Sequence, residues 1–186
     1  MLVPTLFAPG YVGGWSAAEH WDLTEQIFRD VCVFTASKFR SSRVEIEGTP
    51  FILHKVSGEK IFGTETLWES GTKIQVSDLH RTIVDMMDRP ETGGGIDHAS
   101  SCLGAYLASK RSDPGTLIEY GRRLRSGAVF KRLGFLLEQR GADGAVLAAC
   151  RSHLTSGYAK LDPALPADRL VTRWRLWVPA SWKVQA

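Results

Sequence analysis

The sequence contains little of what disulfide-linked, metal-bound or membrane-bound proteins depend on. It has three cysteines, Cys32, Cys102 and Cys150, which are widely spaced and form no CxxC or Cys/His ligand pattern, so neither a disulfide framework nor a zinc site is expected. No apolar run approaches the ~18 residues of a membrane-spanning helix. The N-terminus lacks the basic segment, apolar core and cleavage site of a secretory signal. These absences predict a cytoplasmic protein with buried, reduced thiols.

Motifs of common enzyme classes are also missing. GxGxxG, GxxxxGK(S/T), GxSxG and HExxH do not occur, and the five histidines fall on separate predicted elements. Two acidic pairs, Asp85 with Asp88 and Glu45 with Glu47, are expected on solvated faces rather than in a catalytic centre. With no set of nucleophile, base and orienting group, we expect a protein that is not an enzyme and needs no cofactor or metal.

The 186 residues, 44% of them apolar and 23% charged, suffice for one domain with a sizeable core. A helix is predicted over residues 11–21 and a buried strand over 30–36. Alternating patterns joined by turns predict two hairpins, one over 43–56 with its turn at Gly48-Thr49 and one over 66–76 with its turn at Ser70-Gly71.

Residues 77–160 have a helical pattern. Ser77 is the predicted N-cap of a helix with Leu79, Ile83, Met86 and Met87 on its buried stripe. Further helices are predicted over 96–110, 114–125, 128–140 and 145–152, and a last strand over 170–178 after a linker at 163–166. The predicted fold is therefore α+β: a mostly antiparallel sheet packed with a bundle of about five helices, in a single domain with a sheet-rich part (1–76), a helical part (77–160) and a terminal part (161–186).

The net charge of +3 conceals an uneven distribution. Residues 110–140 hold eight basic and three acidic side chains, or +5, which leaves −2 for the rest of the chain. Helical spacing predicts that Arg122, Arg123 and Arg125 point away from the apolar stripe of their helix. On the next helix Lys131 and Arg132 are predicted opposite the core, with Phe135 beside them but covered by another element.

Arginines and an aromatic residue also share one predicted face of the last strand, where Arg173 and Arg175 alternate with Val171 and Trp177. Such a face suits phosphate pairing and base stacking. The same basic residues could equally form a solvated surface that complements helix dipoles. The candidate nucleic-acid-binding or antitoxin face consists of Arg122, Arg123, Arg125, Lys131, Arg132, Arg173 and Arg175.

The order of motifs along the chain resembles a known family. The segments that carry the resemblance are 11–27 (YVGGWSAAEHWDLTEQI), 60–63 (KIFG), 76–85 (VSDLHRTIVD), 89–96 (RPETGGGI), 120–124 (YGRRL), 131–138 (KRLGFLLE), 161–166 (LDPALP) and 173–176 (RWRL). Together they are similar to the main, C-terminal domain of AbiEi-type antitoxins, which act in bacterial abortive-infection systems of the type IV toxin–antitoxin class.

The resemblance implies a non-enzymatic antitoxin and transcriptional regulator. It implies functional antagonism of a nucleotidyltransferase-like toxin without a stable complex, through the electropositive face. In the family an N-terminal winged helix binds the operator. Here the match begins near Pro9 with no winged helix before it, so operator binding by this chain alone is not implied.

Two other functions stay open at this point. One is an effector or oligomerisation domain of a DNA-binding regulator, for which an apolar pocket lined by Trp15, Trp21 or Met87 would be evidence. The other is a degenerate nuclease-like protein. Evidence for that function would be a cleft in which any three of the set Glu45, Glu47, Glu59, Asp85 and a lysine converge.

Overall fold

The computed structural model describes residues 6–69 and 71–184, and this part of the chain forms two β-sheets and six α-helices. The predicted α+β class is confirmed. The strands of the large sheet are β1 Gly10–Val12, β2 Val31–Thr35, β3 Arg43–Ile46, β4 Thr49–Lys55, β5 Thr64–Glu69 and β6 Thr72–Ser77. They lie in the order β3-β4-β2-β1-β6-β5.

Both predicted hairpins are present, as the antiparallel pairs β3–β4 and β5–β6. The turn of the first hairpin lies one residue earlier than predicted: Glu47 and Gly48 form it, and Thr49 already pairs with Ile46. Glu47 and Gly48 both have positive φ, which a tight hairpin turn requires. Of the second predicted turn, Gly71 has positive φ, whereas Ser70 lies outside the described residues. The sheet as a whole is mixed, because β1 pairs antiparallel with β2 but parallel with β6, and β2 pairs parallel with β4.

The first predicted helix begins later than its sequence pattern indicates. Tyr11 and Val12 belong to β1, and α1 covers Gly14–His20. Gly14 has φ of +55°, and a Cβ there would lie 2.2 Å from the Thr92 carbonyl oxygen. Only glycine tolerates that conformation and that contact, so the chain changes from strand to helix at this point.

The remaining helices match the predicted ones to within two residues at each end: α2 Leu79–Asp88, α3 Ile96–Ala108, α4 Pro114–Leu124, α5 Val129–Gln139 and α6 Gly144–Ser152. The predicted N-cap of α2 is wrong. Ser77 ends β6, and the carboxylate of Asp78 accepts the Arg81 backbone N–H at 2.7 Å. The stripe predicted for α2 is confirmed, since its four apolar residues are all buried.

The predicted last strand is interrupted. A 3₁₀ turn at Thr172–Trp174 and Arg175, with φ of +51°, separate β8 Arg169–Val171 from β9 Leu176–Val178. The small sheet has the order β7-β9-β8, where β7 is Ala159–Lys160. The turn lets Trp174 enter the core, where its ring lies on Gly134 so closely that a Cβ would be 2.1 Å away.

The main core lies among the helices and the small sheet. Apolar residues of α2, α3, α4 and α5 pack there with Val171, Trp174, Leu176 and Val178. In an uninterrupted strand Val171 and Trp174 would lie on opposite faces, but both are buried because the turn redirects them.

Candidate functional site

A groove of about 410 Å³ lies where the C-terminal end of α4 meets the 3₁₀ turn at Gly58–Lys60. Its walls carry more basic than acidic side chains. The lining residues are Glu59, Lys60, Glu119, Arg122, Arg123, Leu124 and Arg125. The structure thus brings together the three arginines predicted on α4 and adds Lys60 from a distant part of the sequence.

The arginines are held by the packing of α4. Leu117, Gly121 and Leu124 are buried on its inner face, so Arg122 and Arg123 are exposed on the outer one. Arg125 follows the helix in the left-handed conformation with φ of +53° and is exposed as well.

Contacts from α4 to the rest of the domain hold this end of the helix in place. The Tyr120 hydroxyl donates to the Asp78 carboxylate at 2.8 Å. The Tyr120 ring also packs edge-on against Phe62, with ring centroids 5.5 Å apart. The groove therefore has a rigid wall.

The guanidinium groups in the groove are available to an anion. Within residues 6–69 and 71–184, no carboxylate forms an ion pair with Arg122, Arg123 or Arg125. Arg123 lies over the Phe62 ring, with its guanidinium carbon 4.0 Å from the ring centroid. A planar cation that stacks on a ring keeps its N–H donors free for bidentate binding of phosphate or carboxylate.

Phe62 connects the groove to a buried polar network that the sequence pattern did not indicate. Arg81 on α2 also lies over this ring, 4.1 Å from its centroid. Arg81 Nε donates to Asp85 Oδ1 at 2.8 Å, Arg81 Nη2 donates to the Tyr11 hydroxyl at 2.8 Å, and that hydroxyl donates to Asp85 Oδ2 at 2.9 Å. All three side chains are buried.

The prediction that Asp85 is solvated is therefore wrong. An i,i+4 Arg–Asp pair usually lies on the exposed surface of a helix. Here β1 places Tyr11 against α2, and water is excluded from the Arg81–Asp85 pair. Burial, followed by the charge of Asp85, raises the pKa of Tyr11 well above its ordinary range. Its hydroxyl consequently stays protonated and donates to the carboxylate. The network links sheet to helix and holds the ring on which Arg123 stacks.

Lys131 and Arg132 do not lie on the exposed face that was predicted for them. Both are buried, and Phe135, as predicted, is covered too. The helix α5 is enclosed by α6 on one side and by the segment that contains β7 on another. Arg132 donates from Nε to the Lys160 carbonyl and from Nη1 to the carbonyls of Met87 and Asp88, at 3.0, 2.8 and 2.8 Å. It holds the end of α2 to the small sheet rather than facing solvent.

Arg173 and Arg175 flank the 3₁₀ turn and have different surroundings. Arg173 Nε pairs with Glu138 at 2.9 Å, and the same carboxyl group accepts the Trp174 indole N–H at 2.9 Å. Arg175 Nη1 donates to the Thr155 carbonyl at 2.8 Å. Arg175 therefore remains a candidate for anion contact, whereas Arg173 has an acidic partner.

Acidic residues do not converge on a catalytic centre in the described part of the chain. Glu45 and Glu47 are exposed at the β3–β4 hairpin, as predicted, while Glu59 lines the groove and Asp85 is in the core. Across residues 6–69 and 71–184, no group of three or more His, Cys, Asp or Glu side chains is placed so that it could hold a metal ion. The arrangement proposed for a nuclease-like site is absent there.

The three thiols are buried, and burial raises the pKa of Cys102 to about 11 and that of Cys150 to about 12. Thiolates of such cysteines are scarce at neutral pH, so their nucleophilicity is low. Burial also raises the pKa of Cys32 well above its ordinary value.

A second groove, of about 440 Å³, lies on the large sheet. Its floor is apolar, with Val12, Ile74 and Val76 among its lining residues, and Glu19 and Asp30 line it as well. The residues named for a ligand-sensing pocket do not line it: Trp15 and Met87 are buried, and the Trp21 indole donates to the Ser77 carbonyl at 2.7 Å. In the described part of the chain, the apolar groove is therefore not the pocket lined by Trp15, Trp21 or Met87 that a sensor domain would require.

Comparison with known proteins identifies a fold but no family. No family model matches the chain, and no curated protein matches it. Among solved structures, the fold is similar to that in the crystal structure of the RV2827C protein from Mycobacterium tuberculosis, with a TM-score of 0.65 and 13% sequence identity. The match covers 95% of this chain and 64% of the mycobacterial one. At this identity the likeness shows the fold alone.

The described residues contain no helix that is both long and apolar enough to cross a membrane.

Proposed function

We propose that this chain is a non-enzymatic antitoxin and regulator domain of the AbiEi type, which counteracts a nucleotidyltransferase-like toxin in the cytoplasm through its electropositive groove. Support comes first from the motifs at 60–63 and 120–124, which resemble the family; the first contributes Lys60 to the groove, and the second contributes Arg122, Arg123 and Leu124. The observation that carries the proposal is the set of exposed guanidinium groups without carboxylate partners among the described residues.

The groove suits antagonism by charge rather than by a large complementary interface. Arg122 and Arg125 offer forked donors to a phosphate or carboxylate, and Lys60 adds a cation from the opposite wall. An anionic nucleotide or nucleic acid shared with the toxin would bind here, so the toxin would lose access to it. Such competition needs no stable complex between antitoxin and toxin.

Co-expression with a nucleotidyltransferase-like toxin tests the proposal. Wild-type chain should restore growth, and Arg122→Glu/Arg125→Glu should abolish the rescue. Lys131 is left unchanged because its burial would confound the result with misfolding. The matched control is Arg29→Glu/Arg40→Glu, which makes the same change in net charge at two exposed arginines away from the groove.

Absence of rescue by soluble wild-type chain would overturn the antitoxin function. Full rescue by Arg122→Glu/Arg125→Glu would overturn the role of the groove. Equal loss of rescue in both double variants would also overturn that role, since net charge alone would then explain the result.

A further inference from the structure

Two cations converge on Thr155, in the loop between α6 and β7. Lys131 Nζ donates to Thr155 Oγ1 at 2.8 Å, and Arg175 Nη1 donates to the carbonyl of the same residue at 2.8 Å. In the described part of the chain neither cation has a carboxylate within ion-pair distance. Thr155 itself is exposed, so this concentration of positive charge lies directly beneath the surface.

Lys131 is buried without a carboxylate partner in the described part of the chain. Its side chain is only 2% exposed, and burial, then Arg175 and Arg132, lower its pKa. Arg132 is compensated by three carbonyl acceptors and by the nearby charges of Asp88, Glu91 and Asp162. Lys131 has only a hydroxyl. Desolvated cations without a carboxylate partner are enriched at functional sites.

The small sheet adds exposed aromatic rings next to these cations. In the parallel pair β7–β9, Lys160 is directly opposite Trp177. Tyr158 comes immediately before β7, and the backbone N–H of the next residue, Ala159, donates to the Arg175 carbonyl at 3.1 Å. Tyr158 is 60% exposed and Trp177 38%. Single exposed aromatics are common on protein surfaces, but here one exposed ring is paired across the strands with an exposed lysine and the other is two residues from that lysine along the chain.

This surface continues toward the arginine groove. Gly127 follows Arg125 by two residues, and a Cβ at Gly127 would lie 2.6 Å from Thr155 Oγ1. The α4–α5 loop is therefore in contact with Thr155. Cations consequently extend from the groove, across the loop, to Arg175 and Lys160.

We propose that the outer face of the small sheet binds single-stranded nucleic acid, with bases stacked on Tyr158 and Trp177 and backbone phosphates bound by Arg175 and Lys160. Lys131 strengthens the phosphate contact from beneath Thr155 and is a positioning residue rather than a direct ligand. Stacking on aromatic rings together with a basic track is the recognised way to bind single strands without reading sequence. Duplexes keep their bases stacked internally and cannot use the rings. This inference goes beyond the proposed antitoxin function and does not require it.

Fluorescence anisotropy with purified chain and fluorescein-labelled probes tests the proposal. The probes are 12-nucleotide oligo-dT and oligo-U, a 12-base-pair DNA duplex, and a 12-residue polyglutamate peptide. We expect the single strands to bind more tightly than the duplex. Tyr158→Ala and Trp177→Leu should each weaken single-strand binding by about 5- to 150-fold, the range for loss of one stacked base.

The matched control is Trp68→Leu. Trp68 is 72% exposed and is directly opposite Lys73 on the large sheet, so it is also an exposed tryptophan beside a lysine. Its replacement should leave binding unchanged. Lys160→Gln should reduce the slope of log affinity against log salt by about 0.7, the value for one phosphate contact to a single strand.

Lys131→Met provides a second readout, because it should raise Tm while it weakens single-strand binding. A structural role for Lys131 would lower Tm instead.

The proposal is overturned if Trp177→Leu and Tyr158→Ala bind single strands as wild type does, or if the duplex binds as tightly as the single strands. Tighter binding of polyglutamate would assign the surface to an acidic protein and overturn it too. The assay contains no toxin, so its result is separate from growth rescue. Rescue without single-strand binding would contradict only this inference, and binding without rescue would contradict only the antitoxin function.

Discussion

Removing the Asp85 carboxylate should lower the free energy of unfolding of this domain more than any substitution at its surface. In Asp85→Ala, Arg81 remains fully buried but loses the acceptor that lies 2.8 Å from its Nε. The Tyr11 hydroxyl loses its acceptor at 2.9 Å as well. Breaking a buried ion pair by removing one partner costs about 3–5 kcal/mol. For a domain of this size, with about 2–4 °C lost per kcal/mol, Tm should fall by roughly 6–20 °C.

A graded series separates the charge from the hydrogen bonds. Tyr11→Phe keeps the Arg81–Asp85 pair and removes only the hydroxyl, so its cost should be about 1.5–3 kcal/mol, the range for a hydrogen bond to a charged group. Arg81→Met/Asp85→Leu removes both charges and fills the space with apolar atoms. It should be less destabilising than Asp85→Ala, because no uncompensated charge remains.

Urea denaturation followed by far-ultraviolet circular dichroism gives the free energy of unfolding for each variant. The reasoning would be refuted if Asp85→Ala cost less than about 1 kcal/mol, the range of exposed ion pairs. It would also be refuted if the double variant were destabilised by the sum of its two single changes.

Two further predictions concern stability. Burial, followed by the charge of Arg89, lowers the pKa of His54 from 6.5 to about 4. Between pH 6.5 and pH 4 the imidazole is therefore protonated in the unfolded chain but neutral in the folded one. Because the unfolded state binds more protons, the free energy of unfolding should fall as the pH drops from 6.5 to 4. Tm measured against pH should show a smaller acid loss in His54→Phe than in wild type, and identical profiles would contradict the assignment. Gly134→Ala places a Cβ 2.1 Å from the Trp174 ring, and it should lower the free energy of unfolding, measured with urea, by about 1–3 kcal/mol or more. The control is Gly144→Ala, which has open space around it. That change should leave the free energy of unfolding unchanged or raise it by up to about 1 kcal/mol. Equal effects of these two alanines would show that helix propensity, not the contact with Trp174, determines the cost.

Local patterns accounted for most of the secondary structure. The stripe on α2, the Asp113-Pro114 start of α4 and the β3–β4 hairpin each depend on spacing and turn residues within a few positions. The failures occurred where a distant contact outweighed the local pattern. Residues 170–178 alternate like a strand, but burial of Trp174 against Gly134 on α5 breaks that strand with a 3₁₀ turn.

The candidate site shows the same division. Amphipathic spacing correctly predicted that Arg122 and Arg123 are exposed, because the apolar stripe of α4 must face the core. It failed for Lys131 and Arg132, since α5 is enclosed on more than one side and a helix of that kind buries polar positions too. Lys60 could not be assigned to the groove from the sequence, because its neighbours there are about sixty positions away.

By itself the sequence determined the α+β class, the two hairpins, most helix bounds and the concentration of positive charge between residues 110 and 140. Each of these follows from short-range periodicity, capping or composition, which act within one turn or one strand. Only the tertiary structure decided which of those charges reach solvent, that Tyr11, Arg81 and Asp85 form one buried network, and that Lys131 and Arg175 meet at Thr155. Desolvation and long-range packing set these outcomes, and both depend on which elements come to lie next to one another in the folded chain.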